Sequence, residues 1–343
     1  MNRTSQRILV TGATGFVGRA LLAALVAAGY RVRATTRNVA RSPAVTNVEW
    51  IRCDVTDPGD VQRALAGVDA AYFLVHSMSS GRRDYADVER AVAQRFANAA
   101  ARAGLKRILY LGGVAPEGRP SKHLGSRLQV GEILRSGEVP ALELRASMIV
   151  GNGSASWQIV RDLTMRLPAM ILPAWTESRT CPVALEDVTV ALVRALDLPL
   201  EQSAWFDIPG PEVLSAREML LRVAALRGRR VPGLRVPFLS VSLSSWWLKL
   251  VARTDFALAR QLVLGLSADL LPRDHRYWEA IEYEPRWTFD RAARQALAEE
   301  EPESTLRGVF GRMGESMVQR LSPKLHGRHP SVPGKTATTG PFR

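Results

Sequence analysis

Three glycines near the start of the chain, Gly12, Gly15 and Gly18, have the spacing needed to hold a phosphorylated ligand. Glycine at the first position allows a sharp turn, and glycine at the second lets backbone N–H groups approach a pyrophosphate. Glycine at the third position lets a helix pack closely on a strand, and the N-terminus of that helix then faces the phosphates. We therefore predict a dinucleotide site here. The other predicted ligand contacts in this loop are Thr14, Phe16 and Val17.

The glycines need a strand before them and a helix and a second strand after them. Residues 8–10 are a short apolar run, which is typical of a buried parallel strand. Helical periodicity follows as far as Gly29, and alternation over 30–36 predicts the second strand. Strand, glycine loop, helix and strand, in this order, make a weak glycine pattern into a specific one.

Strands continue to alternate with helices beyond this point. Further strands are predicted over 48–55, 69–75, 106–111 and 141–145, and an amphipathic helix over 84–104. This alternation predicts an α/β fold with a doubly wound parallel sheet, the Rossmann fold. Ligands collect at the carboxyl ends of strands in such sheets, so Val75 and His76 are expected to line the site. A structural loop histidine is an equally good interpretation of His76.

The residues after the second strand bear on which dinucleotide would bind. The chain reads Thr-Thr-Arg-Asn over 35–38 and has no acid before Glu49. Proteins that prefer NAD place an acid near this point for the ribose hydroxyls, whereas an arginine suits a 2′-phosphate. We therefore predict NADP(H), bound through Arg37, with NAD(H) as the less favoured alternative. The other interpretation of Arg37 is a solvated surface side chain.

The segment TGATGFVG, with its G-x-x-G-x-x-G spacing, resembles the opening of the short-chain dehydrogenase/reductase superfamily, in its extended or atypical (NmrA-like) branch. The resemblance covers roughly the first 200 residues. It implies that Asp54 and Val55, after the third strand, lie beside the adenine. Gly112, at the end of the fifth strand, is also predicted to lie in the cofactor site.

The resemblance also implies where catalysis would occur. Active members carry a Ser after the fifth strand and a Tyr-x-x-x-Lys on the next helix; here Gly113, His123 and Arg127 take those positions. His123 could act as an acid or base near neutral pH. Arg127 holds its proton too firmly to be an acid, but it could bind a ribose or a phosphate.

The predicted function is therefore an NADPH-dependent reductase that acts on a small hydrophobic carbonyl compound or a quinone. The alternative is a non-catalytic NADPH-binding protein that senses redox state or stabilises an assembly. NmrA-like redox sensors and the accessory NADPH-binding subunit of respiratory complex I are members of that kind. The replacement of the usual Ser and Tyr keeps the alternative open.

The predicted core covers 1–153, and 179–208 returns to it. A smaller, mostly helical lobe on the substrate side covers 154–178 and 209–321, and 322–343 is predicted to be a disordered basic tail. Asp187 is expected to cap a helix rather than to catalyse.

Residues 236–250 include a run without charge that is too short to span a bilayer. A lid or core helix is the main interpretation. The alternative is a helix lying at a membrane surface through Trp246 and Trp247, which would give a peripheral membrane contact.

Charge and cysteine content narrow the remaining classes. The net charge of +13 is compatible with nucleic-acid binding, but the arginines are scattered and no nucleic-acid motif appears, so no specific nucleic-acid partner is predicted. Cys53 and Cys181 form neither a metal motif nor a disulfide framework, and no metal site is predicted. With no signal peptide recognised, we expect a cytoplasmic protein, membrane-associated only if the Trp246–Trp247 helix binds lipid.

Overall fold

A parallel sheet of seven strands forms the centre of the protein. The structure is a computed structural model, and it describes residues 3–76, 85–167, 170–229, 233–235, 262–263 and 268–300. The strands are β1 (Arg7–Val10), β2 (Arg31–Thr36), β3 (Val48–Arg52), β4 (Ala70–Phe73), β5 (Arg107–Gly113), β6 (Ala141–Ala146), β7 (Ile149–Val150), β8 (Met170–Leu172), β9 (Arg179–Thr180), β10 (Val183–Ala184), β11 (Ala204–Asp207), β12 (Leu214–Ser215) and β13 (Gly233–Arg235).

The order of the central sheet places the site. It runs β11-β6-β5-β4-β1-β2-β3, and every neighbouring pair is parallel. The order reverses between β1 and β4, and a crevice opens at the carboxyl ends of strands at such a point. Three two-stranded pairs, β7 with β10, β8 with β13 and β9 with β12, lie outside this sheet.

Helices cover both faces of the sheet, as the doubly wound arrangement requires. They are α1 (Phe16–Ala27), α2 (Pro58–Leu65), α3 (Tyr85–Arg102), α4 (Lys122–Arg135), α5 (Ala155–Arg166), α6 (Leu185–Arg194), α7 (Ala216–Leu226), α8 (Arg276–Ala280) and α9 (Phe289–Ala298). Apolar side chains of α1, α6 and α8 form one core with the sheet. Those of α2, α3 and α4 form a second core on the opposite face. The predicted α/β fold is confirmed.

A third core lies beyond the sheet, where α5, α7 and α9 pack together around Trp157, Val223 and Phe289. The Trp157 and Phe289 rings meet edge to face, with centroids 6.4 Å apart. Burial of such large apolar side chains dominates the stability of a core of this kind. The division into a core and a lobe stays a prediction, and we note that 276–281 pack with the sheet, although the sequence assigned them to the lobe.

Two features differ from expectation. The seventh strand, β11, was not predicted, because four residues between turns give too short a pattern. Asp187 does not cap α6, whose N-cap is Ala184, so that expectation is wrong. Its buried carboxylate instead accepts hydrogen bonds from the Tyr283 hydroxyl (2.6 Å) and the Trp287 N–H (3.3 Å). The predictions for 236–250 and for the tail 322–343 lie outside the described residues and stay predictions.

Candidate cofactor and substrate cleft

One cleft of about 920 Å³ runs along the carboxyl ends of the central strands. Every residue that the sequence assigned to the site lines its wall. They are Gly12, Thr14, Gly15, Phe16, Val17, Gly18, Arg37, Asp54, Val55, Val75, His76, Gly112, His123 and Arg127. The structure therefore brings the whole predicted set together, while the role of each residue in binding stays a prediction.

The glycine loop connects β1 to α1 by close backbone contacts. Gly12 has φ +67°, and a Cβ there would lie 2.7 Å from the carbonyl oxygen of Leu74. A Cβ on Gly18 would overlap the carbonyl oxygen of Gly12. Gly15 is the N-cap of α1 and supplies no side-chain cap, so the first N–H groups of this helix open toward the cleft. An uncapped helix N-terminus is a site for an anion such as a pyrophosphate.

At one end of the cleft, Arg37 and Asp54 lie beside each other after β2 and β3. Thr56 donates two hydrogen bonds to the Asp54 carboxylate, from N–H at 2.9 Å and from Oγ1 at 2.7 Å. These bonds, and then the charge of Arg37, hold the pKa of Asp54 below its ordinary value. Arg37 is exposed. This end therefore presents one cation and one ionised carboxylate.

Glu49 takes no part in the cleft wall. Arg33 binds its carboxylate from Nε at 3.0 Å, and a second nitrogen of Arg33 donates to the carbonyl oxygens of Ala64 and Ala66. The acid nearest in sequence to Arg37 is thus engaged in joining β2, β3 and α2. This leaves Asp54 as the acid on the described wall of the cleft.

Further along the cleft, the guanidinium of Arg127 joins the ends of β4 and β5. Its Nη2 donates to the carbonyl oxygen of Leu111 at 2.6 Å, and its Nη1 lies 2.9 Å from Nε2 of His76. The Tyr110 hydroxyl donates to the main-chain oxygen of Arg127 at 3.1 Å, which fixes this turn of α4 against β5. Arg127 therefore projects into the cleft from a constrained position.

His123 lies one turn before Arg127 on the same face of α4, and Ser121 caps this helix. Nδ1 of His123 is buried and has no hydrogen-bond partner among the described residues. Burial, and then the positive charge of Arg127, lower the pKa of His123 to about 3. The same two causes, with a smaller contribution from His123, lower the pKa of His76 well below its ordinary value. Both rings are neutral at pH 7 in the structure as it stands.

Gly113 lies at the end of β5, and the space beside it is filled. A Cβ at this position would lie 2.6 Å from Cδ1 of Leu124. A serine here would therefore require Leu124 to move, because contacts this short do not occur between packed carbon atoms. The absence of the usual Ser is accompanied by a local packing in which the end of the Leu124 side chain occupies the neighbouring space.

Beyond Arg127 and His123 the described wall becomes mostly apolar. The apolar side chains there are Val88, Val114, Leu124, Met148, Ile149, Ile159, Val160, Leu262 and Leu270. The hydroxyl groups are Ser121, Ser147, Ser154 and Ser156. The sequence missed Ser121, α5 and Leu270. No local motif marks them, since they meet only through the tertiary fold.

The first part of the chain matches a model of a known protein family. Residues 4–141 match the model described as the NmrA-like family. We call this matched stretch the NmrA-like segment. The NmrA-like segment contains the glycine loop, Arg37, Asp54, His76, His123 and Arg127, whereas most of the apolar end of the cleft is formed by later residues.

The chain is also similar to proteins of known activity. It is 27% identical over 270 residues to (4-alkanoyl-5-oxo-2,5-dihydrofuran-3-yl)methyl phosphate reductase of Streptomyces griseus, covering 77% of this chain and 90% of that protein. This likeness extends well beyond the NmrA-like segment.

Two solved structures share the fold. Triphenylmethane reductase of Citrobacter sp. has a TM-score of 0.68 at 19% identity and covers 85% of this chain and 99% of its own. A short-chain dehydrogenase/reductase superfamily protein from Agrobacterium tumefaciens with bound NAD has a TM-score of 0.61 at 20% identity, covering 91% and 99%. At these identities the likeness shows the fold alone.

Two searches of the described residues bear on other functions. None of the helices there is both long and apolar enough to cross a membrane. Within the same ranges, no group of three or more His, Cys, Asp or Glu side chains is placed to hold a metal ion.

Proposed function

We propose that the protein is an NADP(H)-dependent reductase that acts on a small apolar carbonyl compound or on a quinone. The observation that carries the proposal is the arrangement of polar and apolar groups along this cleft. An uncapped helix N-terminus and Arg37 lie at one end, and Arg127 and His123 separate them from an apolar end. A phosphorylated dinucleotide fits the first part, and an apolar substrate fits the second.

The residues present fit a dinucleotide. The N-terminus of α1 would face the pyrophosphate, and the glycine at 15 leaves room for a close approach of the backbone. Asp54 is ionised and would accept a hydrogen bond from the adenine amino group. Arg37 would bind a 2′-phosphate, and the acid that could serve a free 2′-hydroxyl, Glu49, is held by Arg33.

When bound, the cofactor supplies the hydride that adds to the carbonyl carbon of the substrate. The carbonyl oxygen then gains negative charge, and the fixed guanidinium of Arg127 would stabilise it. A neutral His123 can donate a hydrogen bond to the same oxygen. The proton that completes the alcohol comes from solvent, either directly or through His123.

The relatives support the class of reaction. The Streptomyces griseus relative is a reductase, and the Agrobacterium tumefaciens structure holds NAD. Both support a nicotinamide cofactor in this cleft. The preference for NADP(H) rests on Arg37 and Glu49 of this chain alone.

A second function, a non-catalytic NADPH-binding protein, is favoured by a specific observation. His123 has a pKa of about 3, so it does not carry a proton that it could release near pH 7. Leu124 also fills the space that a serine at 113 would need. If these features persist with nucleotide bound, the site would bind the cofactor without turning it over.

The cofactor is tested by titrating the purified protein with NADPH and with NADH, and repeating both titrations with Arg37→Ala. We expect NADPH to bind more tightly than NADH, and Arg37→Ala to weaken NADPH binding about tenfold because one charged contact is lost. Arg41→Ala is the matched control, since Arg41 is a nearby exposed arginine that does not line the cleft. Equal affinity for both nucleotides in the wild type would refute the NADP(H) preference.

Turnover is tested with the wild type and His123→Ala in a panel of apolar aldehydes, ketones and quinones. A reductase predicts NADPH oxidation that depends on the added compound and falls in His123→Ala. NADPH binding without oxidation of any kind, in both proteins, would instead support the non-catalytic protein. Analysis of the alcohol or quinol product confirms that the hydride reached the substrate.

A further inference from the structure

His76 is the second histidine of the cleft, and the reaction proposed above does not use it. It follows β4 at the point where the strand order reverses, and its ring lies edge-on to Tyr110 with centroids 6.4 Å apart. The polar contact that the structure gives it is with Nη1 of Arg127, 2.9 Å from Nε2. The hydrogen-bonding groups of the two side chains decide which of them is the donor and which is the acceptor.

An arginine side chain has N–H donors and no acceptor. Nη1 of Arg127 must therefore be the donor in this contact, and Nε2 of His76 must be the acceptor. A nitrogen that accepts a hydrogen bond carries no proton, so the ring proton of His76 lies on Nδ1. The geometry thus selects one neutral tautomer of His76 and excludes the doubly protonated ring.

The contact also fixes Arg127. A long arginine side chain loses rotamer freedom when it is held, and it regains that freedom if a partner is removed. Here the carbonyl oxygen of Leu111, on β5, holds Nη2, and His76, three residues after β4, holds Nη1, so two anchors define the plane of the guanidinium. Arg127 lines the cleft, and among the described residues these two are the hydrogen bonds shown for its guanidinium.

We propose that His76 is a positioning residue: through Nε2, in the Nδ1-protonated tautomer, it holds the Arg127 guanidinium in the orientation in which that group meets the cofactor or the substrate oxygen. The second half of the proposal, what Arg127 meets, rests on the proposed function. The first half, the tautomer and the link, does not. Most other side chains at position 76 would lack either a hydrogen-bond acceptor or the length needed to reach Arg127 on α4.

The link is tested in the full-length protein without any nucleotide. Histidine side chains labelled with ¹⁵N are observed by NMR at pH 7, and the His76 signals are assigned with His76→Gln. We expect a protonated Nδ1 and an unprotonated Nε2 in the wild type, and a shift toward the opposite tautomer in Arg127→Met, which keeps the apolar stem but removes the donor. A protonated Nε2 in the wild type, or an unchanged tautomer in Arg127→Met, would overturn the proposal.

The consequence for the site is tested by nucleotide titration of three variants. His76→Gln keeps an acceptor near the position of Nε2, whereas His76→Leu removes it. We expect about tenfold weaker NADPH binding in His76→Leu, from the loss of one charged hydrogen bond, and an affinity close to the wild type in His76→Gln. His275→Leu, outside the cleft, is the control for removing a histidine.

The double variant His76→Leu/Arg127→Met should bind NADPH no more weakly than Arg127→Met alone, because His76 acts through Arg127. Additive losses would overturn the positioning role even if both variants fold. If the wild type binds neither nucleotide, the proposed function fails, and the NMR result still decides whether the link exists. Rescue by Gln separates positioning from a general packing role, which Gln would not restore.

Discussion

At the glycine loop and the N-terminus of α1, the groups that face the cleft belong to the main chain, whereas at the α4 end they are side chains. The first region consists of N–H groups exposed by an uncapped helix and held by close backbone contacts of glycines. The second consists of Arg127, His76 and His123, of which Arg127 is held by two hydrogen bonds and His123 by packing. The two ends therefore tolerate different kinds of change.

No residue other than glycine fits these close backbone contacts. A side chain on Gly12 or Gly18 meets main-chain atoms that have no other place to go. At the α4 end, by contrast, a neighbouring side chain can occupy vacated space, as Leu124 does beside Gly113. One end can thus keep its function while the chemistry at the other end diverges.

The largest effect is predicted for Gly18→Ala. The added methyl overlaps the carbonyl oxygen of Gly12, and relief requires the loop to separate from α1. We expect a loss of more than about 3 kcal/mol in the free energy of unfolding, measured with denaturant, and loss of nucleotide binding. Gly118→Ala is the matched control, because its added methyl meets nothing within 4 Å. Equal stability of the two variants would mean that the loop is not rigid.

The same contrast explains how much the sequence could predict. The glycine loop and Arg37 follow local patterns, so their positions in the cleft could be expected from the sequence. The link between Arg127 and His76 joins positions 51 residues apart and depends on how α4 docks against β4 and β5. Burial lowers the pKa of His123, and burial is a property of the fold. The sequence therefore indicated His123 as an acid near neutral pH, whereas the structure gives a neutral ring.

A second prediction examines whether the α4 end can be returned to the usual pattern. Gly113→Ser places Cβ 2.6 Å from Cδ1 of Leu124, so we expect a loss of up to roughly 2 kcal/mol in the free energy of unfolding, smaller the more freely the end of the Leu124 side chain shifts, and no gain in turnover. The double variant Gly113→Ser/Leu124→Ala removes the overlap. It should be more stable than the sum of the single variants allows, because the two residues are in contact.

The measurement is a double-mutant cycle by denaturant unfolding, with NADPH oxidation measured in parallel. Leu124→Ala alone accounts for the cavity that the truncation creates. Strict additivity of the two single variants would show that Leu124 does not occupy the serine space, and it would weaken the contrast between the two ends.

The smallest effect is expected from the titration of His123. Its pKa in the folded protein, about 3, is below the ordinary value of a histidine, so the unfolded chain binds a proton more readily than the folded one. Burial of the neutral ring therefore does not lower the free energy of unfolding well above pH 6.5, but this free energy decreases as the pH falls from 6.5 toward 3. At pH 5 this loss is at most about 2 kcal/mol relative to pH 7, and less where solvent reaches the ring.

In His123→Gln the fall in stability between pH 7 and pH 5 should be smaller by that amount, while His76 keeps its own contribution in both proteins. Denaturant unfolding at the two pH values measures the difference, and His275→Gln controls for removing a histidine elsewhere. Parallel losses in the wild type and His123→Gln would mean that His123 is solvated and charged, and the α4 end would then hold a working acid after all.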